Sequence, residues 1–407
     1  MGYRELPIRP ISDEEWPEFW RLIAHTFNDD VDQAEADAER KVFEPERSLA
    51  IFDAGEAVAT TGVFSRDLSV PGATLPAAHV SLVAVLPTHR RRGLLTRMMR
   101  RQLRDVREAG EPVAVLWASE EPIYGRYGYG AAAQHANIEA DTREVRLAGG
   151  RTTGQLRLTT PTKVVKDLAT VYESVRPVRP GYSSRQGPWW DYRLADNERH
   201  RRGATERRCL LYETTAGIVG YALWRCRRGW DESGPNGEVI VEELVCPDPA
   251  GYAEMWRFLF DLDLTRRLSA WFLPLDAPLF FMVDAPRRLN RRISNTLHLR
   301  VVNVPAALTG RRYAVPIDLV IEVSDGILPE NAGRWRLTGN ATGARCEPTS
   351  ARADISLGVR ELGAVYLGGT PFSGLAAAGL VQGRPEAIAA ATASFGWPVA
   401  PLAPEMF

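Results

Sequence analysis

The 407-residue sequence predicts a mixed α/β protein: two tandem segments that share one order of strands and helices, followed by a third, different α+β segment. Three observations lead there. Apolar runs of strand length alternate with stretches whose apolar residues recur at helical spacing. Residues from about 151 to 290 repeat, in weaker form, the order found in residues 1–150, and from about 291 the pattern changes character. The length leaves room for two or three domains, each with its own core.

In the first segment, "SDEEWPEFWRLIAHTF" places Ser12 three residues before Glu15, a capping-box pattern, and then Phe19, Leu22, Ile23 and Phe27 at helical spacing. Two strands follow, "SLAIFDAG" and "EAVATTGVFSRDLSV", with Gly55 at the turn. "AAHVSLVAVL" is almost continuously apolar, which predicts a strand buried on both faces. After the basic stretch "PTHRRRG", residues Leu95, Met98, Met99, Leu103 and Val106 form the apolar face of a helix, with Arg97, Arg100, Arg101 and Arg104 largely off it. "PVAVLWASE" is a further buried strand, and "PIYGRYGYGAA" reads as a loop rich in Gly and Tyr.

In the middle segment "TPTKVVKDLATVYESV" is helical, and "RCLLYET" with "GIVGYALWRC" predicts a hairpin. "EVIVEELVCPDPAGYAEMWRFLFDL" follows the opening pattern as far as Pro247. It then departs: the first copy has Thr88 to Gly93, rich in arginine, and the second has Asp248-Pro-Ala-Gly251, which is shorter, acidic and short of one backbone donor. In the last segment "PIDLVIEVSD" is a strand, "ADISLGVRELGAVYLGG" a strand leading into a helix, and "RPEAIAAATASFG" a helix. The chain closes on "WPVAPLAPEMF", whose Trp397, Val399, Leu402, Met406 and Phe407 predict a docked tail, since free termini are usually polar.

Composition narrows the function. With 45% hydrophobic residues and a net charge of −1, the chain lacks the basic excess on which nucleic-acid coating depends. No stretch reaches membrane-spanning length and no secretory h-region opens the sequence, so the expectation is a cytoplasmic protein without a membrane partner. Cys209, Cys226, Cys246 and Cys346 stand singly, without metal or redox spacing, and are expected as reduced core residues; no metal is expected.

The arginine run is therefore a local feature. A strand ending at Pro87, a turn of successive amides from Arg90 to Leu95 and a helix opening there combine free N–H groups, the positive end of a helix dipole and cationic side chains. A pyrophosphate suits such a site. An arginine triplet is also what a solvated face shows, and its place at a strand-to-helix junction favours the anion. On residue pattern alone, Tyr124, Tyr127 and Tyr129 read as loop packing and Val83 and Val85 as core.

"V-x-V-x-P-x-x-R-R-R-G-L-L" between strand and helix resembles the acetyl-CoA signature of the GNAT superfamily, R/Q-x-x-G-x-G/A; Arg90 and Gly93 match, and Leu95 replaces the last small residue. "VLPTHRRRGLLTRMM" together with "ASEEPIYGRYGYG" is similar to the Eis (enhanced intracellular survival) family of actinobacterial aminoglycoside N-acetyltransferases, over the full length. The resemblance implies a catalytic GNAT domain at 1–150, a degenerate GNAT-like domain at 151–290 and a sterol-carrier-protein-like domain at 291–407. It implies that Val83, Ala84 and Val85 offer backbone groups to the pantetheine of acetyl-CoA. Arg90, Arg91, Arg92, Gly93, Leu94, Leu95 and Thr96 would hold the pyrophosphate, with Ser119 and Glu120 lining the acyl end.

The same resemblance makes Tyr124 the proton donor and the C-terminal carboxylate of Phe407 the proton acceptor, in a homo-hexamer acting on small-molecule amines. None of His25, His79, His89 or His135 sits in a base motif, and no Cys or Ser is placed as an acyl carrier, so the acceptor amine would attack the thioester directly. Aminoglycosides are polycationic and call for carboxylates near the site, of which Asp29 in "FNDDVDQAEAD" is the candidate; lysine side chains are a second acceptor class. Two other readings stay open here: a lipid-binding scaffold without catalysis, and an acyltransferase with another acyl donor.

Overall fold

The computed structural model describes residues 6–147 and 154–407. The first repeat begins with β1 (Ile8–Arg9), α1 (Trp16–Thr26) and α2 (Gln33–Arg40), and continues with β2 (Leu49–Asp53), β3 (Glu56–Val70) and β4 (Ala73–Val85). It then runs through α3 (Leu94–Glu108), β5 (Val113–Trp117), α4 (Glu121–Tyr124), β6 (Gly130–Ala131) and β7 (Gln134–Asp141). The expected capping pair is present, with Glu15 Oε2 accepting from the Ser12 N–H at 2.8 Å. The stretch expected as a Gly/Tyr loop contains a helical turn, α4, because Pro122 starts it and three tyrosines at 124, 127 and 129 bury against neighbouring strands.

The second repeat comprises β8 (Gln155–Thr159), α5 (Val165–Val175), α6 (Pro188–Leu194), β9 (Arg208–Thr214) and β10 (Gly217–Arg227). A short ribbon, β11 (Trp230–Asp231) and β12 (Gly234–Pro235), precedes β13 (Gly237–Val245), α7 (Pro249–Phe260), β14 (Thr265–Leu273), α8 (Leu279–Met282) and β15 (Arg292–Asn295). The last stretch holds β16 (Leu297–Val301), α9 (Val304–Gly310), β17 (Ile317–Ser324), β18 (Gly333–Gly339), β19 (Ala344–Pro348) and β20 (Ile355–Gly358). It ends with α10 (Val359–Val365), α11 (Phe372–Ala377), β21 (Val381–Gly383) and α12 (Pro385–Phe395).

Three large sheets form, in the orders β1-β2-β3-β4-β5-β16-β6, β15-β7-β14-β13-β10-β9-β8 and β19-β18-β17-β20-β21. The first two share a plan: an antiparallel meander, a helical crossover to a parallel strand (β4-α3-β5 and β13-α7-β14), then two short antiparallel strands. Those last strands are exchanged. β7 follows the first repeat in the chain but pairs with β14, while β16 follows the second repeat and pairs with β5. The expected limit at 150 lies outside the described residues. The limit at 290 does not coincide with sheet membership, since Arg292–Asn295 extends the second sheet and Leu297–Val301 completes the first. Strand periodicity marks a strand but not the edge it will join.

Contacts divide the chain into two compact units: residues up to Ala133 with Thr296–Pro398 and Met406–Phe407, and Gln134–Asn295 with Val399–Glu405. Within the first, α10 lies directly on β16 and β6. A Cβ at Gly363 would collide with the Leu299 carbonyl, and one at Gly130 with the Arg360 carbonyl. The fully buried Arg300 of β16 pairs with Asp325 at 2.6 Å, and Asn331 Nδ2 donates to the same carboxylate at 3.0 Å. Arg311, also buried, donates to the Tyr366 and Phe395 carbonyls and lies over three aromatic rings.

The second unit has its own buried ionic centre. Arg185 reaches Glu243 at 2.7 Å and Glu405 at 2.9 Å, and its guanidinium lies 4.0 Å from the Tyr172 ring centroid; the Tyr221 hydroxyl also donates to Glu243. Leu402 is buried in the same cluster and its N–H donates to the Pro180 carbonyl at 2.9 Å, so residues 399–405 are docked as expected. Met406 differs, being 61% exposed. All four cysteines are free thiols, with Cys209 and Cys346 buried and Cys226 and Cys246 half-buried.

Burial pushes the Glu243 carboxyl up and the Arg185 charge more than reverses this, so it is held at about 2 against an ordinary 4.5. A carboxyl depressed in the folded state stabilises the fold above its unfolded value, and that contribution fades as pH falls towards the folded one. Thermal unfolding followed from pH 6 to 2 is therefore expected to show a steeper acid decline in the native protein than in Glu243→Gln, which has no carboxyl to protonate.

Candidate active site

The site begins with a strand that loses a neighbour. β4 pairs with β3 along its whole length, but with β5 only through Ala77–His79 opposite Val113–Val115. Beyond His79 the two parallel strands separate. The register of β3 against β4 slips between Thr60 and Gly62, and Leu82 takes a left-handed φ of 55°, which costs a non-glycine residue about 1 kcal/mol. Two side chains hold this bulge: Thr60 Oγ1 donates to the Leu82 carbonyl at 3.0 Å and Thr61 Oγ1 to that of Ser81 at 3.4 Å.

Val83, Ala84 and Val85 follow the bulge and line a cavity of about 670 Å³. The expectation of a strand buried on both faces thus holds for Ala77–Val80 but not for residues 81–83, which are half-buried because β5 has left them. Their backbone groups on that side have no strand partner, which suits an extended ligand carrying amides.

After β4, Pro87–His89 form one 3-10 turn, Arg91 takes φ 61°, Gly93 takes φ 81°, and α3 starts. The first N–H groups of a helix have no partner within it. No side chain caps α3, because Gly93 stands at its N-cap. The second repeat is built the other way. Its N-cap is Asp248, whose carboxylate accepts from the Gly251 N–H at 2.6 Å, and Pro249 contributes no N–H. There the chain's own carboxylate takes the anion's place; in the first repeat the helix end is open, with Arg90 and Arg91 beside it on the cavity wall. These residues fit a pyrophosphate.

Gly93, Leu94, Leu95, Thr96, Ser119, Glu120 and Tyr124 complete the expected residues that line the cavity. Arg92 is exposed and outside the lining, and so is Asp29, whose carboxylate accepts from the Asp30 N–H; the expected proton acceptor Phe407 is not among the lining residues either. Thr26, Phe27 and Asn28 at the end of α1 line it instead; Phe27, expected on the apolar face of that helix, stands just past its end and is 52% exposed.

Tyr124 is buried, and burial raises its phenol to about 12, with Tyr127 and Glu120 adding to the effect. It is therefore a neutral O–H donor across the ordinary pH range. Tyr127 bonds Thr96 Oγ1 at 3.0 Å, linking the aromatic turn to α3, and Tyr129 packs edge-on against Tyr124 with centroids 6.1 Å apart. Phe407 lies at β4: the Ser81 hydroxyl donates to its backbone oxygen at 2.8 Å, and its ring meets the His79 ring at 4.7 Å. His79 is buried; desolvation, helped by the Arg66 charge, holds its imidazole well below the usual value and so neutral. His89 lies near Asp53 and Thr88. Ser81 escaped the sequence reading because one serine in a strand carries no pattern.

The separated parallel strands, the open helix end and the phenol on one cavity define an acyl-CoA-dependent N-acetyltransferase of the GNAT fold. Comparison with known proteins agrees: residues 7–132 and 181–301 each match the family described as Acetyltransferase (GNAT) domain, and 304–404 match a Sterol carrier protein domain. An uncharacterized N-acetyltransferase of Streptomyces avermitilis is 42% identical over 98% of this chain and 99% of its own. N-acetyltransferase Eis of Mycobacterium tuberculosis is 34% identical over 90% of both. The crystal structure of Eis1 from Mycobacterium abscessus superposes with a TM-score of 0.85 at 32% identity, covering 98% of this chain and 100% of that one. The chain belongs to the Eis-type N-acetyltransferases.

Reversing charge on the cavity wall should weaken the cofactor. Arg90→Glu and Arg91→Glu are each expected to lower CoA affinity by about tenfold or more, roughly 1.4 kcal/mol, in isothermal titration calorimetry. Arg92→Glu, outside the lining, should do less. Equal losses in all three would assign the effect to general surface charge.

Proposed function

We propose that the protein transfers acetyl from acetyl-CoA to primary amines of polycationic small molecules, with aminoglycosides the leading class and lysine side chains a second. The observation that carries this reading is the uncapped α3 end facing the same cavity as Tyr124 and the unpaired edge of β4. Val83–Val85 pair with the pantetheine amides, and the N–H groups that open α3 hold the pyrophosphate with Arg90 and Arg91. The acetyl group then points towards Ser119, Glu120 and Tyr124. We further propose a cytoplasmic homo-hexamer that binds neither nucleic acid nor membrane; no helix among the described residues is long and apolar enough to cross a bilayer.

In the reaction the acceptor nitrogen bonds to the thioester carbonyl carbon and the C–S bond breaks. The amine proton passes to the Phe407 carboxylate, and the Tyr124 phenol gives its proton to the leaving sulfur. A phenol at about 12 is a weak acid towards a thiolate whose ordinary value is about 8.5. Desolvation in the cavity raises the thiol as well as the phenol, so the two values move in the same direction.

Tyr124→Phe is expected to lower kcat by ~10²–10⁴-fold, leaving acetyl-CoA affinity unchanged, in a thiol-release assay with kanamycin. Because burial raises Tyr124, it remains protonated as pH climbs past its ordinary value of about 10. A fall in kcat/KM below that pH which disappears in Tyr124→Phe would contradict its assignment as the neutral donor. Two glycines added after Phe407 should abolish turnover while calorimetry shows acetyl-CoA still bound; undiminished turnover would remove the terminal carboxylate from the mechanism.

A further inference from the structure

His79 and Ser81 are two residues apart on β4, so their side chains share one face of the strand. Phe407 meets both: its ring lies against His79 with centroids 4.7 Å apart, and its backbone oxygen accepts from Ser81 Oγ at 2.8 Å. The next residue, Leu82, turns into the left-handed region, and Val83–Val85 enter the cavity wall. One strand thus seats the end of the chain immediately before the bulge and lines the cavity immediately after it. The seat is stiff, because hydroxyls of Thr61 and Thr60 hold the carbonyls of Ser81 and Leu82.

Ser81 is the group that orients the oxygen. Met406 is 61% exposed, so the preceding side chain contributes little packing to the terminus. The His79 ring contact fixes the phenyl group but leaves the bond to the carboxyl carbon free to rotate. A serine hydroxyl has one proton to donate, and a bond from it to a carboxylate is stronger than one between neutral groups. It occupies one oxygen and leaves the other available.

We propose that Ser81 is a positioning residue for amine deprotonation: its hydroxyl holds one oxygen of the Phe407 carboxylate so that the second faces the attacking amine. The proposal rests on the reading of Phe407 as proton acceptor. Such a residue acts on the rate once both substrates are bound, because a misdirected base forfeits orientation rather than affinity.

The test uses full-length protein with acetyl-CoA and kanamycin, in Ser81→Ala, Ser81→Thr and the chain extended by two glycines. Ser81→Ala should lower kcat by roughly 10–100-fold, as expected for a displaced base, with KM for acetyl-CoA within about twofold, and Ser81→Thr should restore most of the rate by keeping the hydroxyl. In protein labelled with [1-¹³C]phenylalanine, the carboxylate resonance of Phe407 should move in Ser81→Ala and return in Ser81→Thr, a reading that requires no turnover. An unmoved resonance overturns the proposal whatever the acceptor. A native rate in Ser81→Ala, with turnover abolished in the extended chain, overturns the role of Ser81 and leaves Phe407 standing. A native rate in the extended chain removes both. A lower melting temperature and raised acetyl-CoA KM in Ala and Thr variants alike would make Ser81 structural and also overturn it.

Discussion

The architecture of the site depends on one constraint: two parallel strands that stop pairing part of the way along. β4 and β5 share hydrogen bonds only through Ala77–His79, and from that point every backbone group on the β5 side of β4 must find another partner. A buried strand edge without partners is costly, so the arrangement persists only where a ligand or solvent can satisfy it. The slip at Gly62 and the left-handed Leu82 make the divergence a built feature rather than a frayed end, and the two threonine hydroxyls hold its geometry. The cavity wall, the approach to the α3 terminus and the seat of Phe407 all take their positions from this strand.

The two repeats show how little must change for such a scaffold to leave a helix terminus open or to cap it. Both carry a strand, a turn, a helix and a parallel strand in the same order, and both helices bury an apolar face against their sheet. The difference lies in the turn. Gly93 leaves the α3 terminus without a side-chain partner, whereas Asp248 bonds the α7 terminus internally and Pro249 removes a donor. A helix end already neutralised by its own carboxylate has little left to offer a phosphate.

Most of the third segment, Thr296–Pro398 with Met406–Phe407, forms one compact unit with the first repeat. β16 enters the first sheet between β5 and β6, and α10 approaches it so closely that only hydrogen fits at Gly130 and Gly363. Arg300 and Asp325 are buried together at the same junction, where removing either partner would strand a charge at a cost of about 3–5 kcal/mol. The wall of the catalytic sheet is therefore finished by residues some 180 positions downstream of it in the chain.

The meander, the α3 face with Met98, Met99 and Leu103, and helices α10 and α12 of the last segment were legible in the sequence, because burial writes periods of two and 3.6 into the choice of side chain, whereas α9 and α11 were not legible there. So was the contrast between "HRRRG" and "DPAG", since both the uncapped α3 terminus and the capped α7 terminus reside in consecutive residues. What lay beyond reach was pairing across distance. That β7 and β16 complete each other's repeats, that Arg92 and Asp29 stand outside the cavity while Phe27 lines it, and that Ser81 receives Phe407 from 326 positions away were all settled by which edges and faces met in the fold. A side chain's chemistry is local, and the partner it serves is chosen by tertiary packing.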